Sequence, residues 1–163
     1  MIRIVEITQE NLNYAAPLVA AFRVALKSYK GIETSPDLAQ GKEELAEYLA
    51  AGFPTFAALC GGEFAGYAVC RIDVPCVWVE SVFVKPEYRR RGVATALLKK
   101  AEEIAEANGE DTVFNYVHPN NHDMISFLQS HGYTVLNLIE IRKPFRGETL
   151  TQRISVGEHS FDY

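Results

Sequence analysis

Cysteine, long apolar runs and positive charge are all scarce in this sequence. Its 163 residues include three cysteines, and no two of them have the C-x-x-C spacing of a metal site. Cys60, Cys70 and Cys76 all fall in predicted strands, so we interpret them as small core residues in a reducing compartment. No apolar run approaches the ~20 residues of a membrane-spanning helix, and the N-terminus lacks the apolar core of a signal peptide. We therefore expect a cytoplasmic protein that does not associate with membranes.

The net charge and the absence of several motifs exclude further classes of protein. A formal net charge of −5 argues against general nucleic-acid binding. The histidines show no ligand spacing with carboxylates, so we expect no metal. Neither G-x-x-x-x-G-K-S/T nor G-x-G-x-x-G occurs, which excludes two common phosphate-binding loops. There is no internal repeat, low-complexity segment or linker, and the length suits a single domain over residues 1–163.

Hydrophobic periodicity predicts strands and helices along most of the chain. Strands are predicted at 2–8, 55–60, 64–72, 77–84, 112–117 and 133–141, and helices at about 10–26, 37–51, 92–108 and 121–130. Three successive strands linked by short turns, followed by alternating helices and strands, indicate a sheet that is antiparallel first and partly parallel later. We therefore predict a mixed α/β (α+β) fold, with a central mixed sheet of about six to seven strands flanked on both faces by about four helices.

Residues 77–99 form the most informative stretch of the sequence. Their pattern predicts a valine-rich strand, a short basic loop that ends at Gly92, and the first turns of a helix. A loop that opens directly into a helix presents unpaired backbone N–H groups at the positive end of the helix dipole. Gly92 has no Cβ and lets an anion approach, and Arg89, Arg90 and Arg91 lie beside it. We predict a phosphate site here; the alternative is a solvated basic loop.

This stretch resembles the acetyl-CoA signature of the GNAT superfamily of N-acetyltransferases. The signature is Gln or Arg-x-x-Gly-x-Gly or Ala, and Arg89, Gly92 and Ala94 match it. Residues 82–88 also resemble the family's fourth strand and the exit from that strand. The sequence is therefore identified, by resemblance, as a member of this superfamily.

A second match lies later in the chain. Asn121 is followed eleven and twelve residues later by Gly132 and Tyr133, which is similar to the family's asparagine-led helix closed by Gly-Phe or Gly-Tyr. The predicted order of elements from residue 1 to about residue 143 also fits the family. The resemblance implies the GNAT-like acyl-CoA N-acyltransferase fold.

The resemblance implies a binding site for acetyl-CoA, used as a co-substrate. The backbone of Val82, Phe83 and Val84 would pair with the pantetheine arm as an added strand, which requires a splay in the sheet. Asn121 would hydrogen-bond the pantetheine or cap its own helix. The loop and the first helical turn would hold the pyrophosphate through Arg89, Arg90, Arg91, Gly92, Val93, Ala94 and Thr95.

Transfer of an acetyl group to an amine needs a base that takes up the amine's proton and donors that stabilise the thioester oxyanion. Backbone N–H groups near Val82 are the candidate donors. Glu80 is the candidate base, because it lies on the CoA-binding strand among valines, and an apolar surface tends to raise the pKa of a carboxyl group. The alternative is a structural glutamate at the sheet edge that pairs with a lysine.

The proton donor to the departing thiolate is harder to assign. Many family members carry a tyrosine seven residues after the helix asparagine, and Leu128 occupies that position here, next to Phe127. Tyr116 and His118 lie at the end of a predicted strand, and alternation places them on one face. Either side chain could donate a proton, or both could be structural. Without a dedicated acid, the helix N-terminus would stabilise the thiolate and water would protonate it.

The resemblance implies an acetyl-CoA-dependent N-acetyltransferase that acetylates a primary amine of a small molecule or protein by direct attack in a ternary complex. The alternative is a catalytically silent CoA-binding sensor or interaction module, which Leu128 keeps open. Residues 144–163 exceed the minimal fold, and 153–156 could add an edge strand. We expect this tail to form a C-terminal extension at an interface, as in a homodimer, or to lie at the rim of the acceptor site.

Overall fold

The computed structural model describes residues 1–163, which fall into two compact units, Met1–Ser126 and Phe127–Tyr163. The elements in chain order are β1 (Ile2–Glu6), α1 (Leu12–Ser28), α2 (Leu38–Ala50), β2 (Thr55–Cys60), β3 (Glu63–Asp73), β4 (Cys76–Val84), a 3-10 turn (Pro86–Tyr88), α3 (Val93–Ala107), β5 (Phe114–Asn115), α4 (His122–Ser130), β6 (Arg153–Val156) and β7 (His159–Asp162). All four predicted helices are therefore present. The prediction of a single domain remains a prediction.

A five-stranded sheet in the order β1-β2-β3-β4-β5 forms the centre of the first unit. Neighbours among the first four strands pair antiparallel, and β5 pairs parallel with β4. The predicted mixed α/β fold is thus confirmed. The main sheet has five strands rather than six or seven, because β6 and β7 form an antiparallel sheet of their own in the second unit.

Two layers of apolar side chains cover the two faces of the main sheet. Helices α1 and α2 bury one face, where the cluster includes Ile7, Leu18, Val19, Leu45, Tyr67, Val69 and Phe83. Helix α3 covers the other face through residues at helical spacing, namely Val93, Leu97, Leu98, Ala101 and Ala105. The sheet therefore separates the surface that α3 covers from the surface that α1 and α2 cover.

Gly41 sets the close approach of α1 and α2. A Cβ atom at this position would lie 2.6 Å from the backbone oxygen of Ala16 and 3.1 Å from the backbone nitrogen of Ala20. Real Cβ atoms do not approach backbone atoms so closely, so any other residue would push the helices apart. The glycine is required by space between helices and not by its own dihedral angles.

Two of the predicted strands differ in the structure. Of residues 112–117, only Phe114 and Asn115 pair with a neighbour, which is β4. The prediction of a strand at 133–141 is wrong: this segment has no strand partner. Its apolar side chains are exposed, namely Val135, Leu136, Leu138, Ile139 and Ile141. Strand propensity yields a strand only where a neighbouring strand supplies hydrogen-bond partners and packing.

The tail contains a strand at 153–156, as predicted, but not at the edge of the main sheet. Residues Arg153–Val156 form β6 and pair antiparallel with β7. The hairpin supplies its own partner strand, so β6 pairs with β7 and not with the main sheet. Its role at an interface remains a prediction.

The cysteines lie in β2, β3 and β4, and all three are free thiols. Cys70 is fully buried, and burial raises the pKa of its thiol to about 12. A thiol of that pKa is inert near neutral pH, which agrees with its interpretation as a core residue. No helix of the structure combines the length and the apolar character that crossing a membrane requires.

Candidate functional site

A β-bulge interrupts the middle of β4. Ser81 pairs with Val69 and Val79 pairs with Cys70, so Glu80 has no opposite residue on β3. A bulge adds one residue to a strand, breaks the ladder locally and re-aims side chains, and bulges recur next to active sites. Glu80 is thus an inserted residue in an otherwise regular pairing.

The strands β4 and β5 part at the same level. Their ladder consists of two pairs, Trp78 with Phe114 and Val79 with Asn115. The ladder ends one residue before the bulge, and residues 80–84 of β4 have no strand on that side. This opening has the form of the predicted splay in the sheet.

The open edge of β4 presents backbone groups that no strand uses. The N–H of Lys85 donates to the carbonyl of Ala65 on β3 at 2.9 Å, so the N–H and C=O groups of Phe83 also point toward β3. By alternation, those of Val82 and Val84 point the other way, into the opening. An extended ligand in the opening would find donors and acceptors at strand spacing.

The loop after β4 enters α3 through two residues in the left-handed region. Arg90 has φ +59°, and Gly92 has φ +82° and ψ 3° immediately before the first helical residue. No side chain caps this helix end, and Val93 and Ala94 lie in the first turn, where N–H groups have no intrahelical acceptor. A Cβ at Gly92 would meet only the Cδ1 atom of Ile2, at 3.7 Å. The loop is therefore a concave set of N–H groups of the kind that binds anions.

Two of the three arginines rest on aromatic rings. The guanidinium of Arg89 lies 5.9 Å from the ring centre of Phe83, and its Nε donates to the carbonyl oxygen of Val84 at 3.1 Å. The guanidinium of Arg91 lies 5.8 Å from the ring centre of Tyr88. Arg89 thus ties the loop to the end of β4, while Arg91 stays exposed. Both keep positive charge close to the helix N-terminus.

One asparagine lies on β5 and a second lies at the start of α4. Asn115 forms the last pair of the ladder, and its Nδ2 donates to the carbonyl of Val113 at 3.2 Å. Its Oδ1 atom is buried and has no hydrogen-bond donor. Asn121 caps α4, because its Oδ1 accepts from the N–H of Met124 at 3.1 Å. A buried acceptor without a donor is uncommon in native proteins, and an amide N–H of a pantetheine arm would satisfy it.

Glu80 faces an arginine and not the predicted apolar surface. The Nε of Arg71 donates to its Oε2 at 3.2 Å, and the guanidinium of Arg71 lies 5.6 Å from the ring centre of Trp78. Val77 and Val79 pair with alternate residues of β3 that face α3, whereas Arg71 projects to the opposite face. The bulge therefore separates Glu80 from the valines that precede it. Its partner is an arginine, where the sequence suggested a lysine.

Tyr116 stacks on Trp78. The ring centres are 4.8 Å apart and the planes are inclined by 13°, and the tyrosine remains 55% exposed. Trp78 also lies under the guanidinium of Arg71, which binds Glu80. The Tyr116 hydroxyl is thus carried on the same aromatic and charged surface as the candidate base, although no hydrogen bond joins the two.

His118 lies against a different neighbour. Its ring stacks on Tyr29 at 5.9 Å, and its Nδ1 accepts from the N–H of Asn120 at 3.1 Å. Because Nδ1 is an acceptor, the neutral ring carries its proton on Nε2. Burial, and then the charge of Lys30, lower the pKa of His118 below its ordinary value. His118 is therefore held neutral, as a hydrogen-bond donor through Nε2.

Leu128 and Phe127 belong to the second unit. Leu128 is 7% exposed and packs as a core residue of α4. Neither side chain has a proton to donate, as the sequence already indicated.

A comparison of the sequence with models of known protein families identifies the family of this chain. The model of the Acetyltransferase (GNAT) family matches residues 20–133 of the chain. The chain belongs to the GNAT family. It is accordingly an acetyltransferase, and the matched segment includes β4, the loop, α3 and the opening beside β5.

Solved structures of other GNAT proteins share the fold. The aminoglycoside acetyltransferase AAC(6')-Iy, in complex with a bisubstrate analogue of CoA, superposes with a TM-score of 0.70 at 19% identity, covering 89% of this chain and 99% of that one. The ribosomal-protein-alanine N-acetyltransferase from Brucella melitensis biovar Abortus 2308 gives 0.69 at 16% identity, covering 89% and 100%. The PaiA N-acetyltransferase from Thermoplasma acidophilum, in complex with coenzyme A, gives 0.67 at 20% identity, covering 80% and 88%.

A polar network in this GNAT enzyme was not foreseen from the sequence. Arg23 of α1 binds Glu44 of α2 through two nitrogens, and the Tyr48 hydroxyl donates to Glu44 at 2.7 Å. Burial, and then the hydrogen bond to Glu44, raise the pKa of Tyr48. Nearby, the hydroxyls of Tyr67 and Ser81 bond to each other beside the bulge. The four-residue spacing of Glu44 and Tyr48 on one helix was the available signal, but their partner on α1 was not visible.

Proposed function

We propose that this GNAT enzyme is an acetyl-CoA-dependent N-acetyltransferase that acetylates a primary amine. The observation that carries the proposal is the open edge of β4, which leads directly into the uncapped N-terminus of α3. The edge offers strand-like hydrogen bonds and the loop offers an anion site, which are the two needs of a pantetheine arm and its pyrophosphate. Coenzyme A supplies the activated acetyl thioester when it is bound.

Different residues of this chain would bind different parts of the pantetheine arm and the acetyl group. The backbone of Val82 and Val84 would pair with the pantetheine, and the buried Oδ1 of Asn115 would accept one of its amide protons. Asn121 would add its Nδ2 while its Oδ1 caps α4. The N–H of Val82 would donate to the oxyanion that develops at the acetyl carbonyl.

The pyrophosphate would bind at the loop and the first turn of α3. Gly92 would admit it to the backbone N–H groups of residues 90–95. Arg90 and Arg91 would add charge at the surface, and Arg89 would fix the loop through Val84. The balance of positive charge here favours an anion on a protein that is acidic as a whole.

Glu80 would act as the base, directly or through a water molecule. The bulge presents its carboxylate to the face that carries Trp78 and Tyr116, and Arg71 holds it in place. The acceptor nitrogen would attack the acetyl carbon after losing its proton to this carboxylate. The thiolate would be stabilised by nearby N–H groups and protonated by water, with Tyr116 and His118 retained as proposed donors.

The acceptor is proposed to be a primary amine of a small molecule or a protein. Of the proteins that share this fold, AAC(6')-Iy is an aminoglycoside acetyltransferase and the Brucella protein is a ribosomal-protein-alanine N-acetyltransferase, which supports amines of both kinds. Direct attack in a ternary complex requires both substrates to bind together. We also propose a cytoplasmic location and no nucleic-acid or membrane partner, because the net charge is −5 and no long apolar run occurs in the sequence.

A thiol-release assay tests the proposal. The wild-type chain is given acetyl-CoA and a panel of amines, and we expect CoA release that depends on one class of amine. Glu80→Gln should lower kcat by about 10²- to 10⁴-fold while CoA binding is retained. Glu87→Gln, at an exposed glutamate of the 3-10 turn, is the matched control and should leave kcat unchanged.

The outcomes separate this function from the catalytically silent CoA sensor. Undiminished turnover by Glu80→Gln would remove Glu80 as the base. Tight CoA binding without turnover on any amine would favour the sensor. Failure to bind CoA at all would overturn both.

A further inference from the structure

Two buried hydroxyl groups beside the bulge bond to each other and take no part in the proposed reaction. The Tyr67 hydroxyl on β3 and the Ser81 hydroxyl on β4 share a hydrogen bond, and neither residue is more than 3% exposed. A buried hydroxyl without a partner costs free energy, so each of the two satisfies the other. Burial raises the pKa of Tyr67, and its hydroxyl therefore keeps its proton near neutral pH. The pair is a neutral link between the two strands.

The link runs diagonally across the ladder between β3 and β4. Ser81 lies opposite Val69, which is two positions beyond Tyr67 on β3. Diagonal neighbours on one face of an antiparallel pair lie within reach of an aromatic side chain. Tyr67 and Val69 both belong to the apolar cluster beneath α1 and α2. The hydrogen bond therefore holds Ser81 on the face of the sheet that α1 and α2 cover.

Ser81 faces this side because of the bulge. An unbroken ladder would continue the pairing that precedes the bulge and would place Glu80 opposite Val69. The carboxylate would then point into the apolar cluster. Ser81 would turn to the face that α3 covers, away from the Tyr67 hydroxyl. The hydrogen bond is thus made only in the bulged arrangement, which it stabilises.

The bulge also decides where the backbone of Val82 points. The N–H of Cys70 donates to the carbonyl of Pro54, on the β2 side, at 2.8 Å. Cys70 and Val79 are therefore opposite residues without ladder bonds between them, and the N–H and C=O of Val79 point away from β3. In a regular strand these directions alternate, so Val82, three residues later, would point toward β3. With the extra residue it points into the opening instead.

We propose that Tyr67 is a positioning residue of this acetyltransferase: its hydrogen bond to Ser81 holds the bulge, and the bulge aims the backbone N–H of Val82 at the acetyl carbonyl. The role rests on the proposed function, in which Val82 donates to the oxyanion and Glu80 takes up the proton of the amine. Ser81 lies between these two residues in the chain, so a shift of Ser81 would displace both. Tyr67 acts through Ser81 and not at the reacting atoms.

The residue on the other side of Val82 is anchored as well. Phe83 is 8% exposed, and its ring centre lies 6.2 Å from that of Phe22 on α1. The ring of Phe22 also meets the ring of Tyr67 edge to face, at 6.4 Å. The same part of the core therefore holds the residues on both sides of Val82. Removal of the Tyr67 hydroxyl alone leaves these ring contacts in place.

The kinetics of Tyr67→Phe are the first test. Thiol release from acetyl-CoA is measured with ethylamine, phenethylamine and a lysine-containing peptide, and the variants are compared on the best of these acceptors. We expect kcat to fall by about 10- to 100-fold, because displacement of an oxyanion donor by ~1 Å has an effect of that order. KM for acetyl-CoA should change by less than about 3-fold, because the oxyanion develops only in the transition state.

Thr55→Val is the matched control for the loss of a buried hydroxyl. Thr55 is 3% exposed, lies opposite Val69 on the β2 side, and donates to the carbonyl of Phe53 at 2.9 Å. It therefore lies in the same row of the sheet as Ser81 but is separated from β4 by β3. Both variants should lower the melting temperature by about 2 to 4 °C, since each loses one hydrogen bond. Only Tyr67→Phe should lower kcat.

Ser81→Ala tests whether the hydrogen bond itself is responsible. If both substitutions act by breaking one bond, the variant that carries both should lose no more kcat than the worse single variant. Losses that multiply would overturn the proposal, and so would a kcat of Tyr67→Phe equal to that of Thr55→Val. In either case the wild type still releases thiol, and the proposed function stands. No thiol release by the wild type with any of the three acceptors would overturn the proposed function and the role of Tyr67 with it.

Discussion

Replacing Gly92 by Asn and, separately, by Asp isolates the effect of charge at the loop before α3. Gly92 has φ +82°, and both new residues tolerate this left-handed conformation better than other non-glycine residues. An added Cβ has room, since its nearest contact would be Ile2 Cδ1 at 3.7 Å. The two variants therefore share shape and backbone strain and differ by one negative charge.

The size of the difference follows from Coulomb's law. If the Asp carboxylate lies ~6 Å from a phosphate, the repulsion is about 3 kcal/mol at an effective dielectric constant of 20 and about 0.7 kcal/mol in water. Gly92 is exposed, so the value falls between these limits. We expect the Asp variant to bind CoA between about 3- and 100-fold more weakly than the Asn variant, and the gap to shrink as salt rises.

Calorimetric titration with CoA at two salt concentrations measures this difference. Gly109→Asp is the matched control, because Gly109 also has φ +82° but lies past the opposite end of α3. It should bind CoA as the wild type does. Equal affinities of the Asn and Asp variants at low salt would refute the argument that the loop holds a phosphate.

Three further predictions concern other parts of the molecule. Asn115→Leu should weaken binding of CoA by about 5- to 10-fold and leave binding of 3′,5′-ADP unchanged, because only CoA carries a pantetheine arm. Calorimetry with both ligands measures the two affinities, and equal losses of affinity would contradict the proposed contact. His118 has a lowered pKa in the folded chain, so between that value and 6.5 the unfolded chain binds more protons and stability falls as the pH falls. Denaturant unfolding of wild type and His118→Gln from pH 5 to 7 should show this slope in the wild type alone, and parallel curves would count against it. Gly41→Ala should lower the free energy of unfolding by about 1 to 3 kcal/mol, because the new Cβ would lie 2.6 Å from a backbone oxygen. Ala39→Ser, on the exposed side of the same helix, is the control and should change the free energy of unfolding by less than about 0.5 kcal/mol. Similar changes in the two variants would contradict the steric role of Gly41.

Much of the fold was predictable because the signals are local. Apolar residues at helical spacing located all four helices, and Gly92 next to the arginines located the loop at the start of α3. These features depend on residues close together in the chain. The proposed CoA-binding part of the site is built almost wholly from such a stretch.

The rest depends on partners that are distant in sequence. Nothing in the alternation of residues 77–84 signals the bulge, since Val77, Val79, Ser81 and Phe83 are all buried although the bulge turns the last two to the other face. The Arg71 partner of Glu80 lies on a neighbouring strand, and the sequence suggested a lysine in its place.

The strand predicted at 133–141 illustrates the same limit. Its propensity was recognisable, but a strand forms only when another one lies beside it, and that neighbour is not encoded within the segment. The unpaired Oδ1 of Asn115 is likewise a property of the folded surroundings.

The bulge leaves residue 80 outside the pairing between β3 and β4. If residue 80 were deleted, Val79 and Ser81 would become neighbours and the pairing with Cys70 and Val69 would run on without a break, each side chain on its present face. The sheet therefore makes no demand on the chemical nature of the side chain at this position. A different group could be placed there without repacking either layer, so a change of the proposed base need not change the architecture of the sheet.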